Sequence, residues 1–162
     1  MSPRAMLRAT VVIGSLTSFV AAGCASGGGM AKTMSADEAI AARQKLMKEQ
    51  GAAMKAITAA AKAGQTQTIP AEAQKLATTA RQIAPLFPQG SVNPATSRAK
   101  PEIWQKWADF EVNAKALESK ATLLVATAQG GNAAATSAAV ADLGKTTCGA
   151  CHDAFRGPEI KK

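Results

Sequence analysis

The feature that most constrains the fold is a series of four segments in which apolar residues recur at helical spacing. A capping box of Ser35 and Glu38 begins the first segment, and Gly64 ends it. Pro70 suits the first turn of the second segment, and Asn132 caps the fourth. The predicted helices cover residues 35–64, 101–130 and 132–156, and a further one runs from Pro70 through Leu76, Ile83 and Leu86 until Pro85 and Pro88 disrupt it. None of these segments has the alternating pattern of a strand.

Alanine dominates the apolar residues, whereas aromatic residues make up only 4% of the chain and tyrosine is absent. This composition disfavours a β-sandwich or barrel and favours helices. The first and third segments keep heptad spacing, at Ile40, Met47, Met54 and Ala61 and at Ile103, Phe110, Leu117 and Leu124. We therefore predict an all-α fold, an antiparallel four-helix bundle. Because the alanine-rich fourth helix is weak core material, we expect something bulkier to fill the interior.

The N-terminal residues have the pattern of a secretory signal. Arg4 and Arg8 precede an uncharged apolar stretch at 9–22, and small residues follow it. We predict a signal peptide at 1–23, a flexible linker at 24–34, a helical domain at 35–157 and a tail at 158–162. Export to a bacterial periplasm is the expected consequence. Cys24 also fits a lipoprotein cleavage site, which would anchor the protein through a lipid, and ordinary signal cleavage is the alternative.

The chain is basic, with 19 basic and 11 acidic residues and a formal net charge of +8. A basic surface attracts nucleic acid, anionic lipid or acidic proteins. The lysines and arginines are spread along the chain without a cluster, so we expect no nucleic-acid partner. A solvated helical surface is the preferred interpretation of this charge.

The strongest motif is Cys148-Gly149-Ala150-Cys151-His152, the C-x-x-C-H pattern of c-type haem attachment. On a helix, Cys148, Cys151 and His152 are spaced i, i+3 and i+4 and share one face. The two sulfurs then form thioethers with the haem vinyl groups, and the imidazole ligates the iron. Phe155 continues this face and is a candidate wall for the ring. We predict one covalently attached haem c, bound on the C-terminal helix.

Other uses of this motif fit less well. A structural zinc site takes four Cys or His ligands, but the chain has one His and its third cysteine is Cys24. A redox C-x-x-C belongs with a βαβ pattern, which the sequence lacks. A plain disulfide between Cys148 and Cys151 would leave His152 unexplained.

The chain resembles the cytochrome c-prime family, which are four-helix c-type cytochromes with a C-terminal C-x-x-C-H. The resemblance runs from Ser35 to Arg156. Its supporting segments are residues 42–48, 86–88, 100–104 and 148–156.

The resemblance implies two possible states on the far side of the iron. In one branch no protein ligand binds there, and the site admits NO or CO. In the low-spin 556-type branch, a Met from the first helix is the sixth ligand, and Met47 occupies the matching position. Met54, seven residues on, is the weaker candidate. Methionine also fills gaps in cores, so packing is the alternative role for Met47.

The resemblance also implies roles for two arginines. Arg43 matches an Arg that lies near the haem propionates in many relatives, and a solvated helix residue is its alternative. Arg156 matches an Arg that flanks the proximal side of the haem, and a cation favoured by the helix dipole is its alternative. Trp104 and Trp107 are expected in the core or the pocket wall.

We thus expect an exported monohaem cytochrome that carries single electrons to or from periplasmic redox partner proteins and is not an enzyme. One alternative is a five-coordinate haem protein that binds NO or CO. Another is a non-haem helical envelope lipoprotein. The alanine-rich helices would also support a homodimer.

Overall fold

The structure is a computed structural model and describes residues 34–160. Its α-helices are α1 (Ala36–Lys62), α2 (Ile69–Ala80), α3 (Glu102–Gln105), α4 (Trp107–Gln129), α5 (Ala133–Leu143) and α6 (Ala150–Phe155). A π-helical segment, Gly144–Gly149, joins α5 to α6 without a turn. The predicted signal peptide, Cys24, most of the linker and the last two residues of the tail lie outside the described residues. Within 34–160, no helix combines the length and hydropathy needed to cross a bilayer.

The predicted all-α four-helix bundle is confirmed, with α3–α4 as its third member and α5–α6 as its fourth. Helix α2 packs against both α1 and α4, and α5 packs against α4 and α1. Two predicted caps form. The Ser35 hydroxyl accepts from the Glu38 N–H while the Glu38 carboxylate accepts from the Ser35 N–H. The Asn132 side chain accepts from the Ala135 N–H.

The third and fourth helices are less regular than predicted. Lys106 leaves helical geometry, with φ −120° and ψ 46°, and separates α3 from α4. A tertiary contact fixes α3, because the Trp104 indole N–H is shared between the carbonyls of Phe87 and Pro88. In the fourth member, glycines bound the π-helical segment, and they favour α-helix less than alanine does.

The second helix ends earlier than predicted. Regular α2 stops at Ala80, and a turn leads into a 3₁₀ segment, Ala84–Leu86. Pro85 explains this, because it has no N–H to donate to the carbonyl four residues before it.

Five of the eight predicted heptad positions form the core, whereas Met47, Met54 and Ala61 in α1 are only half-buried. The buried heptad residues are Ile40, Ile103, Phe110, Leu117 and Leu124.

A buried arginine attaches α1 to the loop between α2 and α3. Both Nη atoms of Arg43 donate to Ser91, at 2.8 Å to Oγ and 2.7 Å to the carbonyl oxygen, and Nη2 also donates to Ser97 Oγ at 2.8 Å. The guanidinium lies 4.6 Å from the centroid of the Phe87 ring. Arg43 is 3% exposed, so the alternative of a solvated helix residue is wrong.

Leu124 and Leu123 provide a test of the core. Leu124 is 1% exposed and its neighbour Leu123 is 64% exposed. We expect Leu124→Ala to lower the free energy of unfolding of the holoprotein by about 2–5 kcal/mol. Leu123→Ala is expected to change it by less than about 0.5 kcal/mol. Urea unfolding followed by circular dichroism measures both, and equal losses would show that α4 presents the wrong face to the core.

Arg43→Lys tests the attachment of the loop. A lysine lacks the fork that reaches Ser91 and Ser97 together, so we expect a loss of about 2 kcal/mol or more in the free energy of unfolding. Arg81→Lys is the matched control, because Arg81 is exposed and bonded only to Glu118, and less than about 1 kcal/mol is expected there. A cost at Arg43 no larger than at Arg81 would contradict the assigned role.

Candidate haem-binding site

A cavity of about 970 Å³ opens between α1, α4 and the C-terminal segment 147–156. Residues of α1, α4, the π-helical segment, α6 and the loop before α3 line it. This volume lies at the upper end of the range for ligand pockets. Seven predicted site residues all line this one cavity: Arg43, Met47, Cys148, Cys151, His152, Phe155 and Arg156.

The three residues of the C-x-x-C-H motif meet in the cavity. Cys148 belongs to the π-helical segment, whereas Cys151 and His152 belong to α6, and all three are half-buried. Both thiols are free rather than joined in a disulfide. The buried Thr147 hydroxyl donates to the Leu143 carbonyl at 2.6 Å, which fixes the backbone just before Cys148. The cavity thus holds the groups that haem c requires, two free thiols to bond the vinyl groups and one imidazole to ligate the iron.

The structure disfavours the other interpretations of the motif. Among residues 34–160, no group of three or more His, Cys, Asp or Glu side chains is arranged to hold a metal ion. Burial, and secondarily the neighbouring Cys148, raises the pKa of the Cys151 thiol to about 11. A redox-active cysteine has a lowered pKa instead, because the thiolate is the nucleophile.

The environment of His152 favours its neutral form. Burial is the main cause that lowers the pKa of the imidazole, and the charges of Arg156 and Arg98 lower it further, while Asp153 opposes them. A neutral imidazole is the form that ligates iron.

Arg98 is a site residue that the sequence analysis missed. It lines the cavity, and its Nε donates to the Gly157 carbonyl at 2.9 Å. The Gly157 N–H in turn donates to the Arg98 carbonyl at 2.7 Å, and an isolated β-bridge pairs Ala99 with Arg156. These contacts join the loop before α3 to the end of α6. No periodicity could reveal them, because the partners lie 59 residues apart.

The two methionines of α1 both line the cavity and pack against the core. A Cβ built on Gly144 would lie 3.4 Å from the Met54 methyl carbon, so Met54 packs against the backbone at the start of the π-helical segment.

Aromatic residues form the wall behind α6. The Phe155 ring packs edge-on against Phe110, with centroids 5.4 Å apart, and Phe110 packs against Phe87 at 4.7 Å. Trp104 and Trp107 do not line the cavity and belong to the core behind these rings. Phe155 is therefore a wall residue with a supported ring.

The charges around the cavity are all positive. No aspartate or glutamate lines it. The six cationic side chains that line it are Arg43, Lys48, Lys55, Lys62, Arg98 and Arg156. Burial lowers the pKa of the Arg43 guanidinium, although an arginine stays charged at neutral pH.

Sequence comparison identifies relatives of this chain. A family model described as Cytochrome C' matches residues 38–156. Cytochrome c' of Pararhodospirillum photometricum is 34% identical over 118 residues, which are 70% of this chain and 92% of that protein. Cytochrome c-556 of Agrobacterium tumefaciens strain B2A is 31% identical over 117 residues, which are 70% of this chain and 93% of that protein.

Solved structures match the fold as well. Cytochrome c' from Thermochromatium tepidum has a TM-score of 0.70 at 30% identity and covers 78% of this chain and 99% of its own. A nitric oxide complex of a cytochrome c prime mutant from Alcaligenes xylosoxidans has a TM-score of 0.67 at 27% identity, covering 76% and 97%. A cytochrome c' with ligand-controlled dimer dissociation has a TM-score of 0.69 at 28% identity, covering 76% and 98%. With its C-x-x-C-H motif lining a haem-sized cavity in the same fold, the chain belongs to the cytochrome c' family of haem c proteins.

Proposed function

We propose that the protein is a single-electron carrier rather than an enzyme, with its haem c held by Cys148, Cys151 and His152 and ligated on the other side by Met47. The observation that carries the proposal is that these four side chains line one cavity. The haem iron supplies the chemistry, which is the gain and loss of one electron. The chain supplies ligation, burial and a positive surrounding.

The choice of Met47 as the ligand rests on its position and on the contact that Met54, the other candidate, makes. Met54 lies against the backbone at Gly144, whereas Met47 lies one helical turn after Arg43 and lines the cavity. A thioether on the far side of the iron raises the reduction potential, which suits an electron carrier. The similarity to a cytochrome c-556 also supports this choice.

The remaining predicted residues have supporting roles in this proposal. Phe155, backed by Phe110, walls one side of the ring. Arg156 is exposed at the mouth of the cavity and flanks the side of His152. Arg43 faces the cavity from α1 and provides a positive charge for a haem propionate, while its Nη atoms retain Ser91 and Ser97.

A second candidate function is the binding of nitric oxide or carbon monoxide at an open iron site. The observation that favours it is the match to a nitric oxide complex of a relative. The ligand on the far side of the iron separates the two functions, because a bound Met47 closes the site to gases.

Cellular location and assembly are part of the same proposal. The N-terminal pattern supports export to the periplasm, with a membrane link only through a lipid at Cys24. The partners would be periplasmic redox proteins. A relative with ligand-controlled dimer dissociation supports a homodimer.

Removing the two cysteines tests the attachment of the haem. We expect Cys148→Ala/Cys151→Ala, expressed with the haem-attachment machinery, to carry no haem that survives a denaturing gel, because no thioether can form. Thr146→Ala, an exposed change two residues before the motif, should retain it. Haem staining of the gel measures both. Unchanged staining in the double variant would remove the basis of the assignment.

Replacing each of the two methionines in turn tests which residue, if either, is the sixth ligand of the iron. We expect the oxidised wild-type holoprotein to show the weak sulfur-to-iron band at the red edge of its spectrum and its reduced form to ignore CO. Met47→Leu should lose the band, bind CO and have a lower reduction potential. Met54→Leu, the matched control, should keep all three properties. A wild-type spectrum that is high-spin and shifts with CO would instead favour the gas-binding function.

A further inference from the structure

Three lysines form a line along α1 at the mouth of the cavity. Lys48, Lys55 and Lys62 are spaced seven residues apart, all are exposed, and all line the cavity. At 1.5 Å per residue the line is about 21 Å long. We call these three residues the lysine row.

The lysine row is not neutralised by the protein itself. Within residues 34–160, none of the three lysines takes part in an ion pair or a side-chain hydrogen bond, whereas Lys45, Lys75 and Lys120 are each paired with a carboxylate. From residue 50 to residue 71 the sequence contains no acidic residue. The opposite walls of the cavity add Arg98 and Arg156 and no carboxylate.

The mouth of the cavity lies along this helix. Of the exposed residues that line the cavity, Arg156 is the only one outside α1. Between the lysines, the exposed α1 residues that line the cavity are small, Gly51 and Ala59, and the exposed Glu49 does not line it. A partner can therefore approach the cavity closely at this face, with charged side chains on either side of a low surface.

We propose that the lysine row is the docking surface for an acidic redox protein, which it steers onto the mouth of the haem cavity. The inference rests on the proposed electron-carrier function and names the chemistry of its partner. Charges at the rim of an interface mainly change the association rate and its salt dependence, and steering raises such rates by 10-fold to 1,000-fold.

Other occupants fit this surface less well. Helices that lie in a membrane interface expose large apolar residues beside their lysines, but the exposed residues between these lysines are glutamate, glycine and alanine. A symmetric contact with a second copy centred on the row would place lysine against lysine.

The test uses holoprotein and measures its reduction by stopped-flow absorbance. The donor is a reduced plant-type [2Fe–2S] ferredoxin, an acidic protein of low potential. The variant is Lys48→Gln/Lys55→Gln/Lys62→Gln. The matched control is Lys106→Gln/Lys115→Gln/Lys145→Gln, which removes the same charge from exposed lysines that do not line the cavity. Photoreduced lumiflavin, a small neutral donor, reports the intrinsic reactivity of the haem.

We expect the row variant to react with ferredoxin at least about 10-fold more slowly at low ionic strength and to lose most of the salt dependence, because the steering charges are gone. The control triple should stay within about 2-fold of wild type, and lumiflavin should reduce all three proteins equally fast. Equal slowing in both triples would assign the effect to net charge and overturn the proposal.

Three other results would also overturn it. If the row variant reacts normally with ferredoxin but no longer binds vesicles containing phosphatidylglycerol, the surface belongs to a lipid partner. If lumiflavin fails to reduce the wild-type haem, the electron-carrier function itself is wrong. A normal lumiflavin rate with no effect of the row variant on ferredoxin rejects the docking surface alone.

Discussion

The close packing of α2 against α1 and α4 determines where the bundle is filled by protein and where it is open. Helix α2 contributes Ala73, Ala77 and Ala80 to the core, each at most 1% exposed. Small side chains at a helix contact reduce the distance between the axes. No residue of α2 lines the cavity. The contacts of α2 therefore fill their side of the bundle with protein, and the cavity beside α1 is the space that the haem would fill.

Features encoded within one helical turn could be predicted, and features that join distant segments could not. The caps at Ser35 and Asn132 and the heptad from Ile103 to Leu124 depend on residues three to seven apart, and the structure contains them. The break at Lys106 accompanies the Trp104 hydrogen bonds to a loop 16 and 17 residues away. The contacts of Arg43 span 48 and 54 residues. Periodicity carries no information at that range.

The candidate site divides in the same way. The C-x-x-C-H motif is local and specific, so its three residues were assigned from spacing alone. The roles predicted for Met47 and Arg43 rest on a family resemblance. The residue pattern alone does not distinguish a methionine ligand from a methionine that fills the core. No sequence pattern indicates a role for Arg98, because it lies in a loop and its contacts to the site are with the end of α6. The sequence also does not reveal that the charges around the cavity are all positive, because the six cationic residues are scattered between positions 43 and 156.

The six cations that line the cavity differ in how strongly solvent and salt screen their charges. Arg43 is buried and Arg98 is half-buried, so solvent screens their charges little, and they favour the reduced state, which carries one positive charge fewer. Lys48, Lys55 and Lys62 are exposed, and salt screens them over about 8 Å at physiological ionic strength. Their contribution to the reduction potential is correspondingly small. In the proposed docking complex, however, these lysines would attract the acidic surface of the partner. We therefore expect the buried arginines to adjust the reduction potential of the iron, and the exposed lysines to select the protein that approaches it.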